Sequence, residues 1–240
     1  MRIALTTFDR SFDPVALVGS TAIVIDVLRA TTVIACALAN GAREIIPVED
    51  PDEARALAAQ TTPRALLGGE FENLRIEGFD FGNSPREYLP ERVRDARIIL
   101  RTTNGTRALV ASKGASYVWC AALANVGAVI HKLSTEPVDR VTLVCAGQNG
   151  TFSLEDFVCA GAIVAGVSAR KSTSPDDAAI AAAVLFTAHE NSLESLLRRG
   201  NHAQALVQSG MEDDIPFAAQ VDRCDLVPVY EDGRIVACAS

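Results

Sequence analysis

The stretch Thr21-Ala22-Ile23-Val24-Ile25-Asp26-Val27-Leu28-Arg29-Ala30-Thr31-Thr32 changes period in its middle. Thr21 to Ile25 is apolar and rich in β-branched residues, with no charge until Asp26, which is the pattern of a short buried strand. From Ala30 the apolar positions Val33, Ile34, Ala37 and Leu38 recur at helical spacing, and Asn40-Gly41 supplies the stop. An apolar strand that hands directly to a helix is the repeating unit of a sheet covered by helices, so the stretch predicts an α/β fold. Asp26 and Arg29 stand at the handover, a half-buried position where an unpaired carboxylate or guanidinium is expensive.

The same alternation extends outward in both directions. Further strands are predicted at Arg2 to Thr7, Glu44 to Val48, Ala65 to Leu67, Arg97 to Arg101, Tyr117 to Trp119 and Arg140 to Cys145. Asp50-Pro51-Asp52-Glu53 reads as a capping box opening a helix to about Gln60, and Ser84-Pro85-Arg86-Glu87 and Ser153-Leu154-Glu155-Asp156 read as two more. Helices are also predicted over Arg107 to Lys113, Ala121 to Leu133, Pro175 to about Leu197 and, after a basic, glycine-broken patch Arg198-Arg199-Gly200-Asn201-His202, on to Ser209, with Phe71 to Asn83 as loop. Leu226 to Tyr230, the Asp232-Gly233 turn and Ile235 to Ala237 form a C-terminal β-hairpin. No repeat, low-complexity tract or linker interrupts the series. The expectation is a single domain over residues 1–240, a mostly parallel or mixed sheet flanked by helices.

Composition narrows the function. Apolar residues make up 49% of the chain and aromatic residues only 5%, so Ala, Val, Ile and Leu do the packing. The net charge of −8, with no basic run to offset it, argues against nucleic acid and against an anionic membrane surface. An anionic ligand must therefore be met locally, by Arg side chains, backbone N–H groups or a metal ion. The six cysteines contain no CxxC pair and read as reduced thiols of a cytoplasmic protein. The N-terminus opens into a strand without a signal-peptide layout, and the apolar run from Phe157 to Ala169 is too short to span a bilayer.

The polar residues that carry chemistry cluster just after predicted strands: Asp26 and Arg29, Glu70, Thr102 to Thr106, and Gly147 to Asp156. Ligands of open α/β sheets bind outside the carboxyl ends of the strands, where helix N-termini present free N–H groups. Four such turns on one edge would make one site. Within it Asp26 reads as a metal ligand, a nucleophile or a helix N-cap, and Arg29 as an anion clamp or a structural partner of Asp26. Thr102-Thr103-Asn104-Gly105-Thr106 has the small residues and glycine of an anion-binding nest, or of an ordinary Asn-Gly turn, and Gly147 to Thr151 is similar. Asp156 is accounted for equally by its capping box, and Glu70 by an exposed turn.

Several classes are excluded by the text. GxxxxGK[ST] is absent, Asp26-Val27-Leu28 lacks the second Asp of an aspartyl phosphatase, and Thr151 stands where a cysteine phosphatase built on Cys145 needs Arg. The three histidines, His131, His189 and His202, show no metal-ligand spacing and are predicted to lie away from the turn edge. Carboxylates without His or Cys partners point to a hard ion, Mg²⁺.

Taken together, Ile25-Asp26-Val27-Leu28-Arg29-Ala30-Thr31-Thr32, Gly69-Glu70, Gly78-Phe79-Asp80-Phe81-Gly82-Asn83-Ser84-Pro85, Thr102-Thr103-Asn104-Gly105-Thr106, Cys145-Ala146-Gly147 and Glu155-Asp156 resemble the 2-phosphosulfolactate phosphatases, the ComB-like phosphatases. The resemblance reaches from the first strand to Asp222 and Val227-Pro228. It departs after Gly69-Glu70, where relatives often carry a basic residue and this chain has Phe71-Glu72.

The resemblance implies the family's own α/β fold, a homodimer, and Mg²⁺-dependent hydrolysis of a small anionic phosphomonoester, 2-phosphosulfolactate, to 3-sulfolactate and phosphate, a step of coenzyme M biosynthesis. On this reading Asp26 and Glu70 hold Mg²⁺ with Asp156 as a third carboxylate, and Asp26, Arg29 and Glu70 carry the chemistry. Arg29, Thr31 and the turn Thr102, Thr103, Asn104, Gly105 contact phosphoryl oxygens, while Asn83, Gly147 and Thr151 position the other acidic groups of the substrate. A Mg²⁺-dependent lyase acting on a phosphorylated carboxylic acid and a non-catalytic anion-binding module are the alternatives.

Overall fold

The computed structural model describes residues 1–239, so Ser240 at the end of the expected domain lies outside the described residues. The strands are β1 (Arg2–Thr7), β2 (Thr21–Ile25), β3 (Glu44–Val48), β4 (Leu66–Phe71), β5 (Leu74–Arg75), β6 (Arg97–Arg101), β7 (Tyr117–Ala121), β8 (Arg140–Cys145), β9 (Ser174–Pro175), β10 (Leu226–Glu231) and β11 (Arg234–Ala239). The helices are α1 (Ala30–Ala39), α2 (Pro51–Gln60), α3 (Pro90–Val93), α4 (Gly105–Ala111), α5 (Val126–Thr135), α6 (Leu154–Ser168), α7 (Asp177–His189), α8 (Leu193–Leu197), α9 (Asn201–Gln208) and α10 (Asp214–Ala218).

All the strands join one mixed sheet in the order β5-β4-β6-β3-β11-β10-β7-β2-β8-β1-β9. Two parallel blocks, β4-β6-β3 and β7-β2-β8-β1-β9, are separated by the antiparallel hairpin β10-β11. β11 runs antiparallel to β3, and β10 antiparallel to β7. The two blocks consequently run in opposite senses through the sheet. This corrects the expectation of one shared strand edge. The loops after β2, β4, β6 and β8 nevertheless meet at one cavity.

Strand β2 and most of its neighbours β7 and β8 are buried on both faces, as their apolar runs require. Ile23 and Ile25 of β2 face a core built with Leu143, Trp119, Val158, Ile163 and Leu206. Ala22 and Val24 face the opposite core, with Val33, Ile34, Leu100, Leu109 and Ile235. Helices α1 and α4 lie in this second core, against strands of both blocks, which brings the N-termini of the two helices together. Cys36, Cys120, Cys145, Cys159 and Cys224 are buried thiols outside any disulfide. No helix among the described residues is long and apolar enough to cross a membrane.

Local differences have local causes. β4 continues through Gly68 and Gly69 to Phe71, so Glu70 belongs to a strand rather than to a turn. Gly69 makes that possible: its φ is +150°, and a Cβ there would lie 2.2 Å from the Arg101 carbonyl oxygen. The capping box at Ser84 does not form. Ser84 Oγ donates to Asp214 and the Glu87 carboxylate accepts from Gly82 N–H, leaving only a 3-10 turn over Pro85–Glu87. The helix expected from Pro175 to Leu197 divides into α7 and α8, and α10 forms in a segment whose sequence shows no helical period.

Candidate active site

A cavity of about 220 Å³ opens where the loops after β2, β4, β6 and β8 meet, lined by Asp26, Arg29, Glu70, Asn83, Thr103 and His202 among others. Asp26, Leu28 and Arg29 of the turn after β2 line it. Asp26 N–H donates to Thr31 Oγ1 at 2.9 Å, while the Thr31 N–H and hydroxyl both donate to the Asp26 carbonyl at 2.9 and 2.8 Å. Thr31 is therefore spent on holding the turn and is absent from the cavity wall. Asp26 Oδ1 accepts from Ala30 N–H at 3.2 Å, and Oδ2 receives no hydrogen bond from any described residue. Burial pushes the Asp26 carboxyl up to about 6, with Glu155 and Glu70 adding repulsion; His202 and the Ala30 N–H oppose the rise.

Arg29 resolves its two sequence readings in an unforeseen way. It is 2% exposed and pairs not with Asp26 but with Asp214 of α10, Nη1 to Oδ2 at 2.8 Å, while Nη2 donates to the Asn73 carbonyl at 2.9 Å. Ser84 Oγ donates to the other Asp214 oxygen at 2.5 Å. Two of the five guanidinium N–H groups are thus occupied, and Arg29 is one of the residues lining the cavity.

Glu70 is held by three donors: Thr103 N–H and Oγ1, each 2.8 Å from Oε1, and Asn73 N–H, 3.0 Å from Oε2. Here the anticipated nest is partly used up. The Thr103 N–H serves Glu70, and Thr102 and Thr106 satisfy each other through hydroxyls and backbone. The N–H groups of Asn104 and Gly105 have no acceptor among the described residues, while Asn104 Oδ1 accepts from Asn149 N–H at 3.0 Å and ties the β6 and β8 loops. Gly105 admits a close approach, since a Cβ would lie 2.6 Å from both Asp26 Oδ2 and Ala30 Cβ.

Asp156 sits behind the wall rather than in it. Its Oδ1 accepts from Val27 N–H at 2.8 Å and its Oδ2 from Gly147 N–H at 3.0 Å, clamping the turns after β2 and β8 together. Burial, then Asp26 and Glu155, push its carboxyl well above the usual range against those two N–H groups. The side chain therefore does not reach back to close the predicted capping box. Gly147 is its donor, and Thr151, exposed, donates its hydroxyl to the Gln148 carbonyl; neither lines the cavity.

Of the residues singled out from the sequence, Asp26, Arg29, Glu70, Asn83, Thr102, Thr103 and Asn104 meet at the cavity, and Thr31, Gly105, Gly147, Thr151 and Asp156 buttress it. His202 corrects the expectation that all the histidines lie elsewhere. It lines the cavity with its Nδ1 3.2 Å from Glu155 Oε1, a contact without hydrogen-bond geometry. The signal for it in the sequence was the glycine-broken basic patch Arg198-Arg199-Gly200-Asn201-His202. Asp214 and Asn73 carried none.

The family model described as 2-phosphosulpholactate phosphatase matches residues 11–233. A protein of Symbiobacterium thermophilum is 43% identical over 222 residues, 92% of this chain and 95% of its own length. One of Caldanaerobacter subterraneus is 42% identical over 214 residues (89% and 88%), and one of Gloeobacter violaceus 44% over 209 residues (86% of each chain). All three carry the name "Probable 2-phosphosulfolactate phosphatase".

Proposed function

The chain belongs to the 2-phosphosulpholactate phosphatase family, and from that premise we propose that it is a phosphatase whose substrate is 2-phosphosulfolactate and whose cofactor is Mg²⁺. The observation that carries this reading is that two buried carboxylates, Asp26 and Glu70, and the buried Arg29 line one cavity. The cavity, about 220 Å³, is below the range of roughly 300–1,000 Å³ that holds drug-sized ligands. That size favours a small ester.

The donor set suits a hard ion. Asp26 Oδ2 has no hydrogen-bond donor, and Asn83 Oδ1, buried and without a partner, lines the same cavity. No group of three or more His, Cys, Asp or Glu is placed to hold a metal among the described residues. Two carboxylates and an amide oxygen match Mg²⁺, which takes one or two carboxylates and completes its shell with water and substrate phosphate. Asp26, Glu70 and Asn83 would hold it, and Asp156 would orient the Asp26 turn. Bound there, Mg²⁺ supplies charge neutralisation of the phosphoryl oxygens and of the developing transition state.

The chain's own groups complete the task, which in phosphoryl transfer is mainly positioning and electrostatics. Arg29 offers its free N–H groups to phosphoryl oxygens, held in orientation by Asp214 and the Asn73 carbonyl. The N–H groups of Asn104 and Gly105 are available to the same anion. Glu70, fixed by three donors, keeps its place without substrate. The proposal extends to a homodimer in the cytoplasm, a state that sedimentation equilibrium of the purified protein would measure. The function itself is tested by a phosphate-release screen over small phosphocarboxylates. Phosphate from 2-phosphosulfolactate with Mg²⁺, and none with chelator, is the expected result; release that chelator leaves unchanged overturns the metal assignment.

A further inference from the structure

The chemistry set out above leaves His202 unused, although it is the imidazole on the cavity wall. Glu155 behind it is 1% exposed, and neither of its carboxylate oxygens has a hydrogen-bond partner. A buried carboxylate in that condition is costly, and His202 Nδ1 stands 3.2 Å from its Oε1. Gly200 keeps this approach open: a Cβ there would stand 3.1 Å from Glu155 Oε2. Glu155 lies on the Nδ1 side of the ring, so that Nε2 faces away from Glu155. The loop after β8 that leads to Glu155 and the start of α9 that carries His202 thus converge on the cavity from different parts of the chain.

Hydrolysis of an alkyl phosphomonoester has a need that the carboxylates, Arg29 and Mg²⁺ do not meet, because an unactivated alkoxide is a poor leaving group. The geometry points to His202 as the proton donor to the departing alcohol oxygen, with Glu155 as its positioning residue, an assignment that rests on the phosphatase reading above. Water oxygen forms the new bond to phosphorus while the ester P–O bond breaks, its electron pair passing to the ester oxygen. The His202 Nε2 proton closes the alcohol. The water carries two protons onto phosphate, one of which returns to His202, so the products are the alcohol and hydrogen phosphate.

Leaving-group dependence separates this role from a structural one. Rates would be compared for 2-phosphosulfolactate and for 4-nitrophenyl phosphate, whose acidic phenol leaves without a proton, using wild type, His202→Gln and Glu155→Gln with Mg²⁺. His202→Gln should lower kcat/KM for the alkyl ester by at least about 100-fold and for the aryl ester by less than about 5-fold. Glu155→Gln should shift the same ratio in the same direction, by about 10-fold. Equal loss on both esters, or loss on neither, overturns the assignment while leaving the phosphatase reading intact. A wild type that releases phosphate from neither ester overturns both.

Discussion

Arg29 gives the residue scale its sharpest constraint. Its guanidinium and the Asp214 carboxylate are each 2% exposed in the side chain, so neither charge has water to fall back on. Removing one partner of such a pair typically costs about 3–5 kcal/mol. Asp214→Ala should therefore lower unfolding stability by that amount in urea titration, far more than Asp213→Ala, whose pairing with Arg86 is exposed. Asp26 supplies a second test. Its folded value of about 6 lies above the ordinary 3.8, so its contribution to stability is present below about pH 4 and is lost as pH rises through about 6. Metal-free wild type should lose up to about 3 kcal/mol relative to Asp26→Asn between pH 4 and 7.5, by chemical denaturation with chelator. Asp26, Arg29 and Glu70 were legible as a group because charges at strand ends are unusual. Asp214 was not, since its partner lies 185 positions earlier and no local pattern announces a long-range ion pair.

At the scale of elements, the site depends on how closely α4 approaches α1. Gly105→Ala puts a methyl group 2.6 Å from Asp26 Oδ2 and Ala30 Cβ, and neither neighbour is the end of a flexible chain. We expect a loss of about 1–3 kcal/mol in stability, and a fall in turnover larger than that of Gly114→Ala, where a Cβ meets nothing within 4 Å; parallel melts and initial rates would check both. Strands β1, β2, β3, β6 and β8 have the limits that their apolar runs predict, and α1 and α2 match their start and stop signals. The failures lie where tertiary partners outbid local ones. Ser84 and Asp156 both carry the chemistry of a capping box, but Asp214 takes the first and the Val27 and Gly147 N–H groups take the second. Glu70 was placed in a turn because Gly68-Gly69 reads as a strand end, whereas pairing with β6 carries the strand through both glycines.

For the whole molecule, the telling feature is the terminal hairpin. It was legible from Asp232-Gly233 and its flanking apolar residues, but not its place at the centre of the sheet, because strand order is set by packing that no single segment encodes. Val227 and Ile235 are fully buried there. Amide hydrogens of β10 and β11 should therefore exchange as slowly as those of β2 and β8, where a peripheral hairpin would exchange within the time of local fraying. That central insertion reverses one parallel block against the other, yet one cavity gathers Glu70 and Thr103 from one block with Asp26 and Arg29 from the other. The account's central claim is that the shared cavity hydrolyses a phosphomonoester at phosphorus. It is tested most directly by turnover of 2-phosphosulfolactate in ¹⁸O-water with Mg²⁺, reading the isotope in both products, for wild type and Asp26→Asn. The account predicts one solvent oxygen in the phosphate, none in the sulfolactate, and turnover at least about 100-fold lower in Asp26→Asn. Phosphate free of solvent oxygen, or undiminished turnover in the variant, would contradict it.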